Sequence, residues 1–599
     1  MNHNEQQLAR QFRGQISQVS LASRSAEPKL DDLDLSAMAK AGLNYLRGNP
    51  DPKLNYECKF SLGPLGIPSW VPLVPSNEYA RDPVSLGDTD SRMDWQYLHM
   101  REMAGESTPD SVELGVRARV VSYQHADGLC YVNPAAAVGK AIDGEWAMSW
   151  TTAKLLYSLS EAFQRTKDPG LAERCRRTFA GLKGMALWDG PRAYYCGLAP
   201  YKDGQWLREG WCESHARNYP FIVEACVRYY ECLGEQEALD FAAAVTEGFL
   251  AGSQKDQGDI QIDPKTGSFR NHVHCHTHAT WGVAHLGVLL KERRYTDWVR
   301  KAYDFVVSQG TDYGWYPEFI PQDHYRTEIC VVGDMVSNAV WLARAGWPHY
   351  WDHVERAVRN ELRRSQFFLT PRFLDLFLGL HKDKPKDVVE KALAELRKLE
   401  GGFVAQSGFD DWVSYFDSMG QPGMYANGIH MMGCCPPEGL RGFWEVWNGI
   451  VEARPEGVFV NMAIHRDHPA AKVTAYRPAE GRLDVQARQE GSYYVRPPAW
   501  VDRASVRLAR NGQSQDIRWT EAGSAYVLCG NLHSGDRLTL TWGVPSFKQT
   551  FAPASIPDRH DDIGVQWTGN EVTGVEPRGK YLPMFGVQDD PLRGWLAGR

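Results

Sequence analysis

Residues 428–447 read GIHMMGCCPPEGLRGFWEVW. A glycine-containing loop leads into two adjacent cysteines, Cys434 and Cys435, and then into an apolar run that reads as a helix. The stretch therefore predicts a helix that starts beside a pair of thiols. That pairing raises both an architectural and a chemical question.

The helical rhythm continues upstream. From about Leu35 to Arg454, apolar residues recur three and four apart, as at Leu155, Leu159 and Ala162/Phe163, at Leu239, Ala242/Ala243 and Phe249/Leu250, and at Tyr350, Val354, Ala357/Val358 and Leu362. Turn signals such as Lys167 to Gly170 and Leu233-Gly234 separate neighbouring helices. Successive helix pairs fit stacked hairpins or a closed α/α barrel, and no repeated unit marks a solenoid. Near Pro455 the period changes to two: Leu483, Val485 and Ala487 alternate with polar residues. Val506 and Leu508 do so before Asn511-Gly512, and Leu538, Leu540 and Trp542 after Ser534-Gly535-Asp536. The expected organisation is a polar segment over 1–30, a mainly α catalytic domain over 31–455 and a β-sandwich over 456–550. Residues 551–599 form a tail without assignment. The segment from Phe367 to Gly420 reads as an insert with a lysine-rich helix around 383–400.

Composition narrows the function. The net charge of −8 gives no basic surface for nucleic acid. No apolar run approaches the ~18–20 residues that cross a bilayer, so no membrane partner is expected. The polar first residues lack the apolar core of a signal peptide, which predicts a cytoplasmic protein. The 12 cysteines are scattered, as buried thiols in a reducing compartment would be. Twenty-one tryptophans and 26 tyrosines fit either a large aromatic core or a carbohydrate cleft, where flat rings stack on sugars.

A second chemical stretch is HYRTEICVVGDMVSNAVWLARAG, His324 to Gly346. Glu328 and Cys330 are two apart, so both point inward only if the chain is extended as it enters the helix. With Cys434 and Cys435 they make three sulfurs and one carboxylate, a set that suits tetrahedral Zn²⁺. From spacing alone other readings stay open: buried free thiols, a strained vicinal disulfide, or Glu328 as a charge at a helix start.

These motifs resemble the β-L-arabinofuranosidases that use a cysteine nucleophile, glycoside hydrolase family 127 and its relatives. Tyr-x-x-Glu-x-Cys is present as Tyr325, Glu328 and Cys330. YWDHVERAVRNEL follows, then YANGIHMMGCCPPEGLRGF with its Cys-Cys-Pro-Pro element. YYVRPPAWVDRASVRLARNG and LHSGDRLTLTW are similar to the family's strand motifs. The resemblance spans about residues 270–545, and more loosely from 145. It implies an (α/α)6 barrel with β-sandwich domains and a Zn²⁺ site of Glu328, Cys330, Cys434 and Cys435. It also implies Cys434 as nucleophile in a retaining hydrolysis of an oligosaccharide or small glycoside. Glu318, in GWYPEFIPQD, resembles the family's acid/base segment, with Asp312 and Asp323 as alternatives.

Four histidines alternate in HVHCHTHATWG as His272, His274, His276 and His278, a pattern that in an extended chain could bind a second metal. His278 matches a sugar-contacting histidine of the family. His276, Tyr325 and His215 are the other candidate substrate contacts. Glu438 stands where the family has asparagine, and SLGDTDSRMDW departs from its pattern, so the sugar stays open. Two other classes also remain: a different α/α-barrel carbohydrate enzyme, whether a lyase or a carboxylate-only hydrolase, or a non-catalytic sugar-binding protein stabilised by zinc. A homodimer is compatible with each.

Overall fold

The computed structural model describes residues 3–59, 61–67, 87–132, 144–195, 200–206, 221–251, 262–321, 326–413, 428–520, 525–552, 562–587 and 591–597. Six helices form a closed ring: α1 (Asp88–Ala104), α2 (Ser149–Thr166), α3 (Ile222–Leu233), α4 (Val273–Leu290), α5 (Ile329–Arg344) and α6 (Cys435–Gly449). Each packs on the next, and α6 packs back on α1. The intervening helices lie outside. Leu35–Gly48 and Ser111–Ser122 pack on α1, Pro169–Met185 on α2, Gln236–Ala251 on α3, Arg293–Gln309 on α4 and Tyr350–Ala357 on α5. Outer helices return the chain, so the inner six share one direction.

Sequence pattern sorts the two rings. Arg293–Gln309 buries Tyr295, Trp298, Val299, Ala302, Tyr303, Val306 and Val307, a single stripe at helical spacing. By contrast α5 is buried at every residue from Ile329 to Val340, as a helix covered on all sides must be. The two rings also begin differently. Asp34, Asp110, Asp168 and Glu292 cap outer helices by accepting backbone N–H groups. None of the six inner helices has a side-chain cap. Their free N–H groups and partial positive charges therefore gather at one end of the ring.

Beyond α6 the chain becomes β structure. Arg482–Ala487, Arg507–Arg510 and Arg537–Thr541 belong to a six-stranded sheet. Val451–Arg454, Gly457–Val460, Gly491–Val495 and Val527–Leu532 form a four-stranded one. A third sheet takes its edge strand from the polar segment 1–30. Gln15–Leu21 pairs antiparallel with Pro545–Phe551, followed by Ile563–Thr568 and Glu571–Glu576. The unassigned tail thus supplies two strands and the short helix Pro591–Ala597. Asp410 and Asp411 grip it by accepting N–H groups of Gly579, Tyr581, Leu582, Met584 and Phe585. The insert contains helices Pro371–Leu380 and Lys386–Lys398. It then returns as Gln406–Ser407, which pairs with Thr327–Glu328 at the mouth of the ring.

Candidate active site

The uncapped end of the ring holds the thiols. Thr327–Glu328 is a short strand, and α5 starts at Ile329, so Glu328 and Cys330 straddle the change from extended chain to helix. That is the geometry in which residues two apart can face the same way. Across from them, His430–Met432 is a strand and Gly433 turns the chain into α6, whose first turn carries Pro436 and Pro437. A glycine sets the approach of the two helices. A Cβ on Gly333 would lie 2.5 Å from the Glu438 carbonyl oxygen, so only glycine lets α5 and α6 touch there.

This contact brings four donors together. Cys330 Sγ is 3.5 Å from Cys435 Sγ, which is 3.7 Å from Cys434 Sγ and 3.7 Å from a Glu328 carboxylate oxygen. All four ligand atoms lie within 4.8 Å of one another. Zn–S bonds of about 2.3 Å place tetrahedral ligands about 3.8 Å apart, so the donors already sit near the edges of such a tetrahedron. The spacing is far beyond a disulfide bond, and the three cysteines are free thiols. The residues present therefore fit a zinc ion. Cys330, Cys435 and Glu328 are buried, whereas Cys434 is partly exposed.

The charges around the donors are ordered. Hydrogen bonds from the Cys330 and Cys435 thiols hold Cys434 well below the usual thiol range, while burial pushes Cys330 up. Against burial, the positive charge and hydrogen bond of His272 bring Glu328 down to about 2. His272 Nε2 lies 2.7 Å from Glu328, and its ring stacks on Phe319. Glu318 follows from the same pairing, because Phe319 is opposite His272 and the Val273 N–H donates to the Glu318 carbonyl. Burial raises the Glu318 carboxyl to about 7 even though Arg326 pairs with it. His272, Glu318 and Glu328 lie within 4.8 Å of one another through one ligand atom each, so Glu318 adjoins the thiol cluster through Glu328.

Below the thiols lies a buried layer of ion pairs. Asp334 of α5 accepts from His274 at 2.7 Å, His278 at 2.8 Å, the Thr277 hydroxyl at 2.8 Å and Arg441 at 2.6 Å. Arg441 also holds Glu438, which binds Arg92; Arg92 and Lys154 both bind Asp88. Glu438, the residue that departs from the family pattern, is thus neutralised by two arginines. Arg92 comes from SLGDTDSRMDW, and sequence reading gave it no role. The signal was there: a charged pair four apart, Asp88 and Arg92, in a helix that also carries Trp95 and Tyr97.

The histidine candidates separate. His278 is fully buried against Phe221, with burial lowering it to about 3, and His276 is 1% exposed under Phe269. Helix α4 replaces the extended chain, and it still brings His274 and His278 onto Asp334, three donors within 4.8 Å of one another that could hold a metal ion. His272, singled out only as one of the cluster, is the histidine that touches Glu328. Asp312 pairs with Arg13 instead of facing the cluster. His215, Asp323 and Tyr325 lie outside the described residues.

The helical ring with appended sheets is a fold found in solved glycoside hydrolases. It is shared with the family 127 β-L-arabinofuranosidase of Geobacillus stearothermophilus T6 at a TM-score of 0.55 and 13% identity, over 91% of this chain and 86% of that one. A second family 127 β-arabinofuranosidase matches at 0.53 and 14%, over 90% of this chain and 81% of the other. No protein-family model matches the sequence, and comparison with curated proteins finds no match. Among the described residues no helix is long and apolar enough to cross a membrane.

Proposed function

We propose that this chain is a retaining glycoside hydrolase of the β-L-arabinofuranosidase kind. In this reading the ring and its outer helices are an (α/α)6 barrel spanning residues 31–455, the strands of 456–550 are a β-sandwich, and the enzyme works in a reducing cytoplasm. One observation carries the reading: of four clustered donors three are buried and one, Cys434, is partly exposed. Glu328, Cys330, Cys434 and Cys435 would hold Zn²⁺, which keeps a thiol deprotonated and fixed in place.

The residues then divide the work. Cys434 Sγ attacks the anomeric carbon and forms a C–S bond as the glycosidic C–O bond breaks. Glu318, raised to about 7 and so still partly protonated at neutral pH, gives its proton to the departing oxygen. Water then attacks the thioglycoside from the vacated side and loses its proton to Glu318. The sulfur leaves, and two inversions return the original configuration. His272 positions Glu328 and so the edge of the donor set. The N-terminal ends of the six inner helices, with their partial positive charge, favour negative charge at the same place.

Two results test this. Elemental mass spectrometry of reduced protein gives about one zinc per chain; no zinc, and none taken up on addition, rejects the donor set. Glu318→Gln slows furanosides with poor leaving groups by ~10²–10⁴ and activated aryl furanosides much less. Equal loss on both kinds of substrate excludes Glu318 as the acid.

A further inference from the structure

The other end of the ring holds a second cavity, of about 710 Å³, between the last turns of α2, α3, α4, α5 and α6 and the strand Val451–Arg454. It is distinct from the thiol site. Glu445 on its wall is ten residues along α6 from Cys435, or about 15 Å at the helical rise. The buried layer of Asp334, Arg441, Trp281 and His278 lies between the two.

Most charge in this cavity is paired. Glu161 is held by His99, Arg165 and Arg228. Glu452 is held by Arg344 and Arg454. His285 lies 3.1 Å from Glu224 and 3.3 Å from Glu231, and against burial these two acids raise it to about 9, so it is a cation at neutral pH. Glu231 also takes Arg228. Glu161, Glu224, Glu231 and Glu452 are thus all paired, and one carboxylate on the wall makes no ion pair.

That carboxylate is Glu445. It is 9% exposed, burial raises its carboxyl, and Arg344 and Arg441 are the positive charges that act on it most; it has no hydrogen bond or ion pair. Tyr157, 4% exposed, presents a hydroxyl that likewise has none. The indole N–H of Trp341 is buried and unbonded. Both faces of that indole are already covered, by His285 at 3.7 Å and by the Arg344 guanidinium at 4.5 Å, so it offers an edge donor and no stacking platform. The aligned inner helices point their carbonyl ends, with partial negative charge, toward this end of the ring. Buried polar groups in native proteins are almost always satisfied. Here the Trp341 N–H is the buried unsatisfied group, and the Glu445 carboxylate and the Tyr157 hydroxyl, which donates as well as accepts, face the cavity beside it.

We infer that this cavity is a binding site for a small hydroxylated ammonium compound, of the amino alcohol or amino sugar class. Its ammonium group is held by Glu445 and the Tyr157 oxygen, and a hydroxyl oxygen accepts from Trp341. The inference does not depend on the reading of the thiol site.

Tris and pentaerythritol make a matched pair of probes, because they differ mainly in an ammonium group against a hydroxymethyl. Isothermal titration calorimetry of the full chain should show Tris binding to wild type and to Cys434→Ser alike. Pentaerythritol should bind at least tenfold more weakly. Glu445→Gln should weaken Tris at least tenfold, and Tyr157→Phe should weaken it severalfold without unfolding the ring. Equal binding of the two probes overturns the ammonium assignment. Loss of Tris binding in Cys434→Ser, or full binding in Tyr157→Phe, assigns the ligand elsewhere and overturns the site. So does the absence of any Tris binding at millimolar concentration.

Discussion

Cys434→Ser loses at least about a thousandfold in kcat on a β-L-arabinofuranoside, the scale seen when a nucleophile is removed, while its circular dichroism and unfolding midpoint stay close to wild type. The asymmetry follows from burial. Cys330, Cys435 and Glu328 are closed off, so the exchange of one partly exposed sulfur for oxygen changes little packing. The chemistry changes much more. A serine hydroxyl stays protonated at neutral pH, whereas Cys434 is held low by two neighbouring thiols that donate to it. Wild-type kcat in the variant, measured with matched zinc content, would remove Cys434 from the mechanism. It would leave a carboxylate-only hydrolase on the same ring, and Glu318→Gln would then be the decisive variant.

Asp334→Ala has the opposite profile: a stability loss of ~3–5 kcal/mol, the cost of removing one partner from a buried charge network. Asp334 is fully buried and is bound by two histidines, a threonine hydroxyl and a guanidinium. Its removal leaves Arg441, itself fully buried, with Glu438 as its one ion pair and Trp281 at 4.1 Å beneath it. Asp334→Asn keeps the shape and part of the hydrogen bonding, so it should lose less. Urea unfolding distinguishes the cases. A midpoint for Asp334→Ala within error of wild type would mean that the layer is replaceable, and that the floor of the thiol site is held by α5–α6 packing alone.

Much of this was legible before any coordinates. The change from period 3.6 to period 2 near Pro455 is visible in Leu483, Val485 and Ala487, and these three lie on one strand, Arg482–Ala487. Glu328 and Cys330 were placed by a rule about facing directions, and the strand-to-helix change at Ile329 meets it. Three kinds of feature stayed hidden. The ring is closed by contact between α6 and α1, more than three hundred residues apart, and periodicity carries no such information. The ion-pair layer consists of charges inside helices, which read locally as solvated faces; only closure of the ring buries Asp88, Arg92, Lys154 and Asp334 together. The histidines diverge for a local reason. Val273 to Leu290 is helical, so alternate histidines point in different directions: His274 and His278 share Asp334, and His276 turns to Phe269.

The strand Gln15–Leu21 has a consequence in time. Its partners are Pro545 to Thr550, and Phe12 beside it packs on Phe547 and Trp567. During synthesis at ~5–20 residues per second, the segment waits roughly 30–100 s for them to be made. Throughout that interval Ile16 and its neighbours are an unpaired strand that any exposed sheet edge can capture. The third sheet therefore closes late, and it takes its edge strand from a segment made long before its partners.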